Sequence, residues 1–289
     1  MSANFQKWFF LIVLSLIWGS SFILIKKGLQ NGLSAYQVGA FRILFSSLFL
    51  LCIGYKSLFQ IKPYQWKFIA LTSMFGTFFP AFLFALAQTK VSSSVCSILN
   101  SLTPLNTLLV GAFAFGIPAK RNQFVGVVIG LSGTLLLILM GKTQSSQNYY
   151  YAVLVLIASV CYAINVNLVK RFLSDVKPLS ITTGNFLVLL FPAVLVILGT
   201  NFQKTIQFQQ AGYGLFFIAI LGVVGTGIAN IIFFRLIQTA STVFATSVTY
   251  LIPIVAFFWG LLDEESLTIW QFLGAFVILI GVYISNKKI

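Results

Sequence analysis

Apolar runs of about 20 residues, the length that crosses a hydrocarbon core, recur from one end of the chain to the other. They predict ten helical spans, near 7–25, 35–54, 67–87, 92–116, 122–140, 150–169, 179–199, 212–236, 240–262 and 267–285. A transmembrane β-strand would alternate apolar and polar positions, and runs such as Leu135 to Met140 do not. The connections are short; the longest polar stretches lie near 55–66, 141–149 and 200–211. No room remains for a soluble catalytic domain. The pattern therefore predicts an all-α polytopic membrane protein.

Composition agrees with that class. Of 289 residues 59% are hydrophobic and 8% charged, with mean hydropathy +0.99, whereas a soluble domain carries about 25% charged residues. A formal net charge of +14 is of the kind that nucleic-acid binders carry, but the cations sit at helix ends and form no single face. They report topology instead. Lys7, Lys56, Lys62, Lys67, Lys120, Arg121, Lys170, Arg171, Lys177, Lys287 and Lys288 fall on one side. Lys26, Lys27, Lys90, Lys142 and Lys204 fall on the other. The richer side is expected to be cytoplasmic, with both termini on it, in a bacterial plasma membrane. Cys52, Cys96 and Cys161 lie in apolar segments and give no disulfide framework. Lys26-Lys27 follows the first apolar run where a signal peptide would show small residues, so cleavage is not expected.

The chain also repeats itself. Gln88-Thr89 falls on Gln238-Thr239, Pro104 on Pro253, Gly126 on Gly274 and Gly133 on Gly281, with offsets drifting from 150 to 148. Near the start of each half IWGSSFILIKK (17–27) parallels CYAINVNLVKR (161–171). Residues 1–140 and 149–289 are thus expected to be two five-helix units. An odd number of spans inverts the second unit in the membrane, a signature of secondary transporters. Such halves can exchange conformations, turning an inward-open cavity into an outward-open one.

At this point the chain resembles the drug/metabolite transporter superfamily in its EamA-type ten-helix branch. LIWGSSFILIKKGL (16–29), GAFRILFSSLFLL (39–51) with Arg42, and Glu265, Gln271, Gly274 and Gly281 after Pro253 carry the resemblance. The first half departs from it, because the position equivalent to Glu265 is Ile117. The resemblance implies a basket of ten helices around a central cavity. Helices 1, 3, 4, 6, 8 and 9 would line it, and helices 5 and 10 would support it from outside. It also implies transport of small organic solutes.

Polar side chains at membrane depth face protein or water, because facing lipid costs several kcal/mol on the order of. The candidates for substrate contact are Trp18 and Ser21 in helix 1, Asn100 in helix 4, Tyr162 and Asn165 in helix 6, Thr226 and Asn230 in helix 8, and Tyr250 in helix 9. Trp18 lies too deep for an aromatic belt. Asn offers four hydrogen-bonding sites that no single carbonyl satisfies. Ser and Thr instead commonly bond back to a carbonyl one turn earlier. Arg42, on a helix outside the implied lining, is expected to serve structure, and Arg235 to reach headgroups. Pro104 and Pro253 are a matched pair of kinks or hinges.

The sequence has no His, and its acidic residues are Asp175 and Asp263-Glu264-Glu265. No carboxylate is placed at mid-membrane. The acidic cluster is expected to be a charge at the start of helix 10, favoured by its dipole. No Walker loop, metal set or catalytic triad is present, so neither an enzyme nor a cofactor is expected. The expected function is secondary transport of a neutral or zwitterionic, amino-acid-like metabolite, by export or exchange. A broad-specificity drug exporter and a non-transporting assembly or lipid-remodelling protein are the alternatives. The expected partners are a small-molecule substrate and membrane lipid, with a homodimer as the candidate assembly and no nucleic acid.

Overall fold

In the computed structural model the described residues are 3–117, 121–140, 149–200, 210–240, 242–265 and 268–286, and they contain helices and turns but no strand. Lys120, Lys142, Lys204, Lys287 and Lys288, used above for sidedness, lie outside them. The protein is an all-α membrane protein. Its helical segments are α1 (Ala3–Gln30), α2 (Ala35–Gly54), α3 (Pro63–Ala87), α4 (Ser93–Phe115) and α5 (Arg121–Met140). After these come α6 (Ala152–Phe172), α7 (Pro178–Gly199), α8 (Ala211–Thr239), α9 (Phe244–Leu262) and α10 (Ile269–Asn286). Among the described residues, α1 to α4 and α6 to α9 are long and apolar enough to cross a membrane. In α10 the apolar stretch is the shorter Ile269–Gly281.

Local chemistry sets several helix starts. Ser34 and Gln37 form a capping box at α2, each side chain bonding the other's backbone N–H. Thr268 and Gln271 do the same at α10, which gives Gln271 a structural task. Ser92 caps α4 by accepting from the Val95 N–H at 3.3 Å. Four helices are interrupted in mid-course. A turn at Ser101–Leu102 breaks α4, and Pro104 sits in the first turn of its second part, where the missing donor costs nothing. A turn at Ser247 opens the main part of α9, which contains Pro253. In α3 and α8 the backbone widens to π-helix at Met74–Phe78 and Leu221–Ile228.

Lipid offers no hydrophobic drive for helix association, so packing and polar ties hold a bundle together. Ser47 Oγ on α2 donates to the Phe186 carbonyl on α7 at 2.9 Å. Asn167 Nδ2 on α6 donates to the Thr107 carbonyl on α4 at 3.1 Å and to that of Ala163 at 2.9 Å. Apolar side chains such as Phe191 and Phe258 are left exposed, as a lipid-facing surface requires.

Helices α5 and α10 pack closely on each other and only sparsely on the rest. Glycine makes that approach possible. A Cβ on Gly281 would stand 2.5 Å from the Gly130 nitrogen, and one on Gly133 would stand 2.8 Å from the Ile278 nitrogen. Both obstacles are backbone, which cannot rotate aside. Gly281→Ala is therefore expected to part the pair and cost about 1–3 kcal/mol, lowering the melting temperature of the purified protein by several degrees. Gly212→Ala, where an added Cβ meets nothing within 4 Å, should leave it unchanged. Equal shifts in the two variants would contradict this packing.

Candidate functional site

A cavity of about 70 Å³ lies between the helices, with room for several water molecules. Trp18 and Ser21 of α1 face it, as do Asn100 of α4 and Tyr162 and Asn165 of α6. Thr226 and Asn230 close the α8 side. Of the eight candidates, these seven are brought together. Tyr250 is not among the lining residues; it packs against the core cluster that holds Ile252 and Ala256. Together with Ile252, two α9 hydroxyls, Thr246 and Thr249, stand in the wall instead. Each also bonds back to a carbonyl of the preceding turn, at 2.9 Å.

Sequence reasoning overlooked three kinds of wall residue. Phe22, Phe84 and Phe233 are apolar and carried no polar signal, yet they build the aromatic side of the cavity. The Trp18 and Phe233 rings meet edge to face at 4.8 Å, and Tyr162 stacks on Phe84 at 6.0 Å. Gly76 and Thr77 enter from the widened segment of α3. Arg42 also lines the cavity, which corrects the expectation that helix 2 stands outside it. Its Nε donates to Thr226 Oγ1 at 2.6 Å, and Tyr162 shares the cavity wall with it.

Trp18 has a definite role beside the cavity. A π-helical turn displaces carbonyls from their usual partners, and in a membrane interior those oxygens need replacements. Trp18 Nε1 donates to the Gly225 carbonyl at 3.0 Å, and Ser46 Oγ donates to that of Gly222 at 2.7 Å. Thr226 Oγ1 donates to the Leu221 carbonyl at 2.9 Å while accepting from Arg42. The indole in the middle of α1 thus holds the distorted part of α8 in place. Ser21 stands close by, since a Cβ on Gly225 would lie 2.9 Å from its Oγ.

At the C-terminal end of α1 an ionic cluster joins α1, α4 and α9. Lys26 Nζ lies 2.6 Å from Asp263 Oδ2 and 2.9 Å from Glu265 Oε1, and Lys27 also pairs with Asp263. Glu265 accepts from Ser93 Oγ at 2.6 Å and Ser94 Oγ at 2.7 Å, and from both residues' N–H groups at 3.2 and 3.1 Å. Its carboxylate therefore occupies the N-terminus of α4, where free donors and the dipole favour an anion. The expectation of a dipole from helix 10 is corrected: the helix concerned is α4. A turn aims Glu265 there. Glu264 adopts φ 58°, and the Glu265 N–H returns to the Gly260 carbonyl at 2.8 Å. Gly260 itself must lack a side chain, because a Cβ would lie 2.5 Å from Ser94 Oγ. Burial pushes the Glu265 carboxyl up, but hydrogen bonds from Ser93, Lys26 and Ser94 outweigh it and hold the group below the usual carboxylate range. Asp263 is also depressed: burial raises it, and hydrogen bonds and charge from Lys26 and Lys27 bring it down further.

The opposite end is held together differently. Lys170 and Arg171 align with Lys26 and Lys27 in the sequence repeat, but they meet carbonyls. Lys170 Nζ donates to Ile237 at 3.0 Å and Ala240 at 2.9 Å, and Arg171 to Phe115 at 2.9 Å. Gln238 donates to the carbonyls of Leu173 and Val176 at 3.1 and 2.7 Å. Its sequence counterpart Gln88 has both amide atoms buried without a partner. Arg235 is exposed at this end, over the Phe10 ring. Among the described residues no group of His, Cys, Asp or Glu could hold a metal ion.

Known proteins share these features of sequence and fold. The EamA-like transporter family matches the chain twice, over residues 6–139 and 150–287. An uncharacterized inner membrane transporter of Escherichia coli strain K12, YedA, is 27% identical over 94% of this chain and 88% of its own length. A probable amino-acid metabolite efflux pump of the same strain is 25% identical over 95% and 92%. An uncharacterized transporter of Archaeoglobus fulgidus is 24% identical over 98% and 99%. One crystal structure superposes with TM-score 0.66 at 16% identity, covering 99% of this chain and 96% of that one, and so shares the fold. With nearly every residue inside one of the two family matches, the chain belongs to the EamA-like transporter family, a family of membrane transporters and not of enzymes.

Proposed function

We propose that the protein is a secondary transporter that moves a small neutral or zwitterionic, amino-acid-like metabolite by alternating access, as an exporter or exchanger in a bacterial plasma membrane. The observation that carries this reading is the cavity itself. Amide, hydroxyl and aromatic groups from six helices converge there, near the middle of α1, with Arg42 from a seventh, and none of the chain's four acidic residues lines it. A solute with hydrogen-bonding ends and a modest apolar part fits such walls. An organic cation would find an arginine and no carboxylate, which weighs against a drug exporter of that kind. A protein that only assembles or remodels lipid has no use for a polar chamber at this depth. The efflux-pump relative supports the substrate class.

Residues 1–140 and 149–289 would be the two inverted units. In support, the family matches fall one in each unit, and the interruptions of α3 and α4 recur in α8 and α9. The basic-residue bias supports a cytoplasmic location for both termini. The contrast between the two ends supports alternating access: one is held by ion pairs, the other by carbonyls. Gln238 is satisfied while Gln88 waits for partners.

Two outcomes follow. With Cys52, Cys96 and Cys161 replaced by Ala, single cysteines at positions 18, 100, 165 and 230 should react with polar thiol reagents added from either side of the membrane. Access from one side only, or from neither, would contradict alternating access. The Lys26–Asp263–Glu265 cluster would be the latch of its end. Both carboxyls are held below their usual range, so the latch is intact above that range and is lost only as pH falls through the depressed values. Glu265→Gln should release it already at neutral pH. Losing one charged contact at ~1.5 kcal/mol should speed labelling of position 100 from the Lys26 side roughly tenfold. Equal labelling rates in variant and parent at pH 7 would remove the latch.

A further inference from the structure

Arg42 is a partly buried charge without a counter-charge among the described residues. It sits eight residues into α2 and lines the cavity, where Thr226 and Tyr162 offer it neutral hydroxyls. The four acidic residues of the chain are all accounted for elsewhere. Asp175 takes Gln65 at 3.0 Å and Lys62 at 3.8 Å, Asp263 and Glu265 belong to the latch, and Glu264 is exposed at its turn. A guanidinium has five N–H donors in a planar fork that matches a carboxylate. Two hydroxyls leave part of that fork unused.

A lone charge at membrane depth is costly, and where one persists it usually marks a solute path. A structural arginine would be expected to bind the carbonyls freed by the π-helical turn of α8. Those carbonyls are taken instead by Trp18 and Ser46. Thr226 donates its own hydroxyl hydrogen to the Leu221 carbonyl and accepts a hydrogen bond from the Arg42 Nε–H. This fixes one edge of the guanidinium against α8. Across the same cavity, Asn165 is 97% buried (3% exposed) and its Oδ1 accepts no hydrogen bond. Its amide lies against Gly76, where a Cβ would come within 2.6 Å of Asn165 Cγ. A cation with spare donors and no counter-charge, and a neutral acceptor without a partner, therefore share one chamber with an aromatic wall.

We propose that Arg42 binds the carboxylate of the transported solute and that Asn165 Oδ1 accepts a hydrogen bond from its ammonium group. The inference rests on the transporter reading above and narrows it: the substrate must carry a carboxylate, and α-amino acids satisfy both groups. Thr226 and Tyr162 are positioning residues that hold the guanidinium. Decarboxylated amines lose the Arg42 contact and are excluded.

The test uses the purified full chain in liposomes preloaded with the twenty protein amino acids, with release followed by mass spectrometry. Release of at least one amino acid is expected. The amine made by its decarboxylation should neither leave nor compete, whereas the acid lacking the amino group should compete. Arg42→Gln should raise KM for the released amino acid at least tenfold, with Arg42→Lys falling between it and the parent. Competition by the amine equal to that of the amino acid would overturn the proposal. So would an unchanged KM in Arg42→Gln; and because the ligand comparison is made on the parent protein, the test survives a variant that fails to fold. If no amino acid is released, the substrate class proposed above fails. Arg42 is then judged by quenching of tryptophan fluorescence with 4-methylpentanoate. Quenching in the parent that is lost in Arg42→Gln but partly kept in Arg42→Lys supports the carboxylate site, and its absence in the parent refutes it.

Discussion

Inside a bilayer no water waits to satisfy a polar group that the protein leaves unpaired. That constraint organises this molecule. The chain places Trp, Asn, Thr, Tyr and Arg in the middle of its helices, where each must meet another helix or a wet space. The π-helical turn in α8 shows the consequence most directly. There the carbonyls of Gly222 and Gly225 accept from two donors on other helices, Ser46 and Trp18. These bonds tie α1, α2 and α8 to one another through a local irregularity.

The same irregularities shape the chamber. A regular α-helix would carry Thr226 and Thr77 at another angle, and the widened turns present them to the cavity beside Gly76. Pro104 works with the break in α4 to bring Asn100 and Thr103 into the wall. The glycine-lined contact between α5 and α10 stands apart from all this. It braces the bundle without approaching the site. The two ends then differ in their chemistry. Ion pairs respond to pH and carbonyl contacts do not, so the position where Ile117 replaces an acidic residue makes the two closures unequal.

Much of the site was legible because polarity at membrane depth is a strong signal. Asn100, Asn165 and Asn230 could be read as lining residues because lipid cannot satisfy an amide, and they do line the cavity. Tyr250 is not part of the lining. One residue past Thr249 is 100° further round a helix, and the wall takes Thr246, Thr249 and Ile252 from α9 but not Tyr250. Arg42 was assigned from its helix and not from its side chain, whose length carries it between neighbours into the chamber. Glu265 was read against the helix that follows it, since sequence shows local dipoles. Its true partner begins 172 residues earlier, at Ser93, a relation only the fold creates. The π-helical turns left no trace beyond scattered glycines; at the turn in α8, the donors that meet the carbonyls come from other helices.

The central claim is that closing one end of the molecule goes with opening the other. Pairs of spin labels measure this directly, one pair at Gln30 and Leu262 beside the ionic cluster, the other at Ile117 and Thr239 near the carbonyl-bonded end. On acidification through the range where the latch carboxyls take up protons, the first distance should lengthen while the second shortens. Distances that stay fixed, or that lengthen together, would contradict the account.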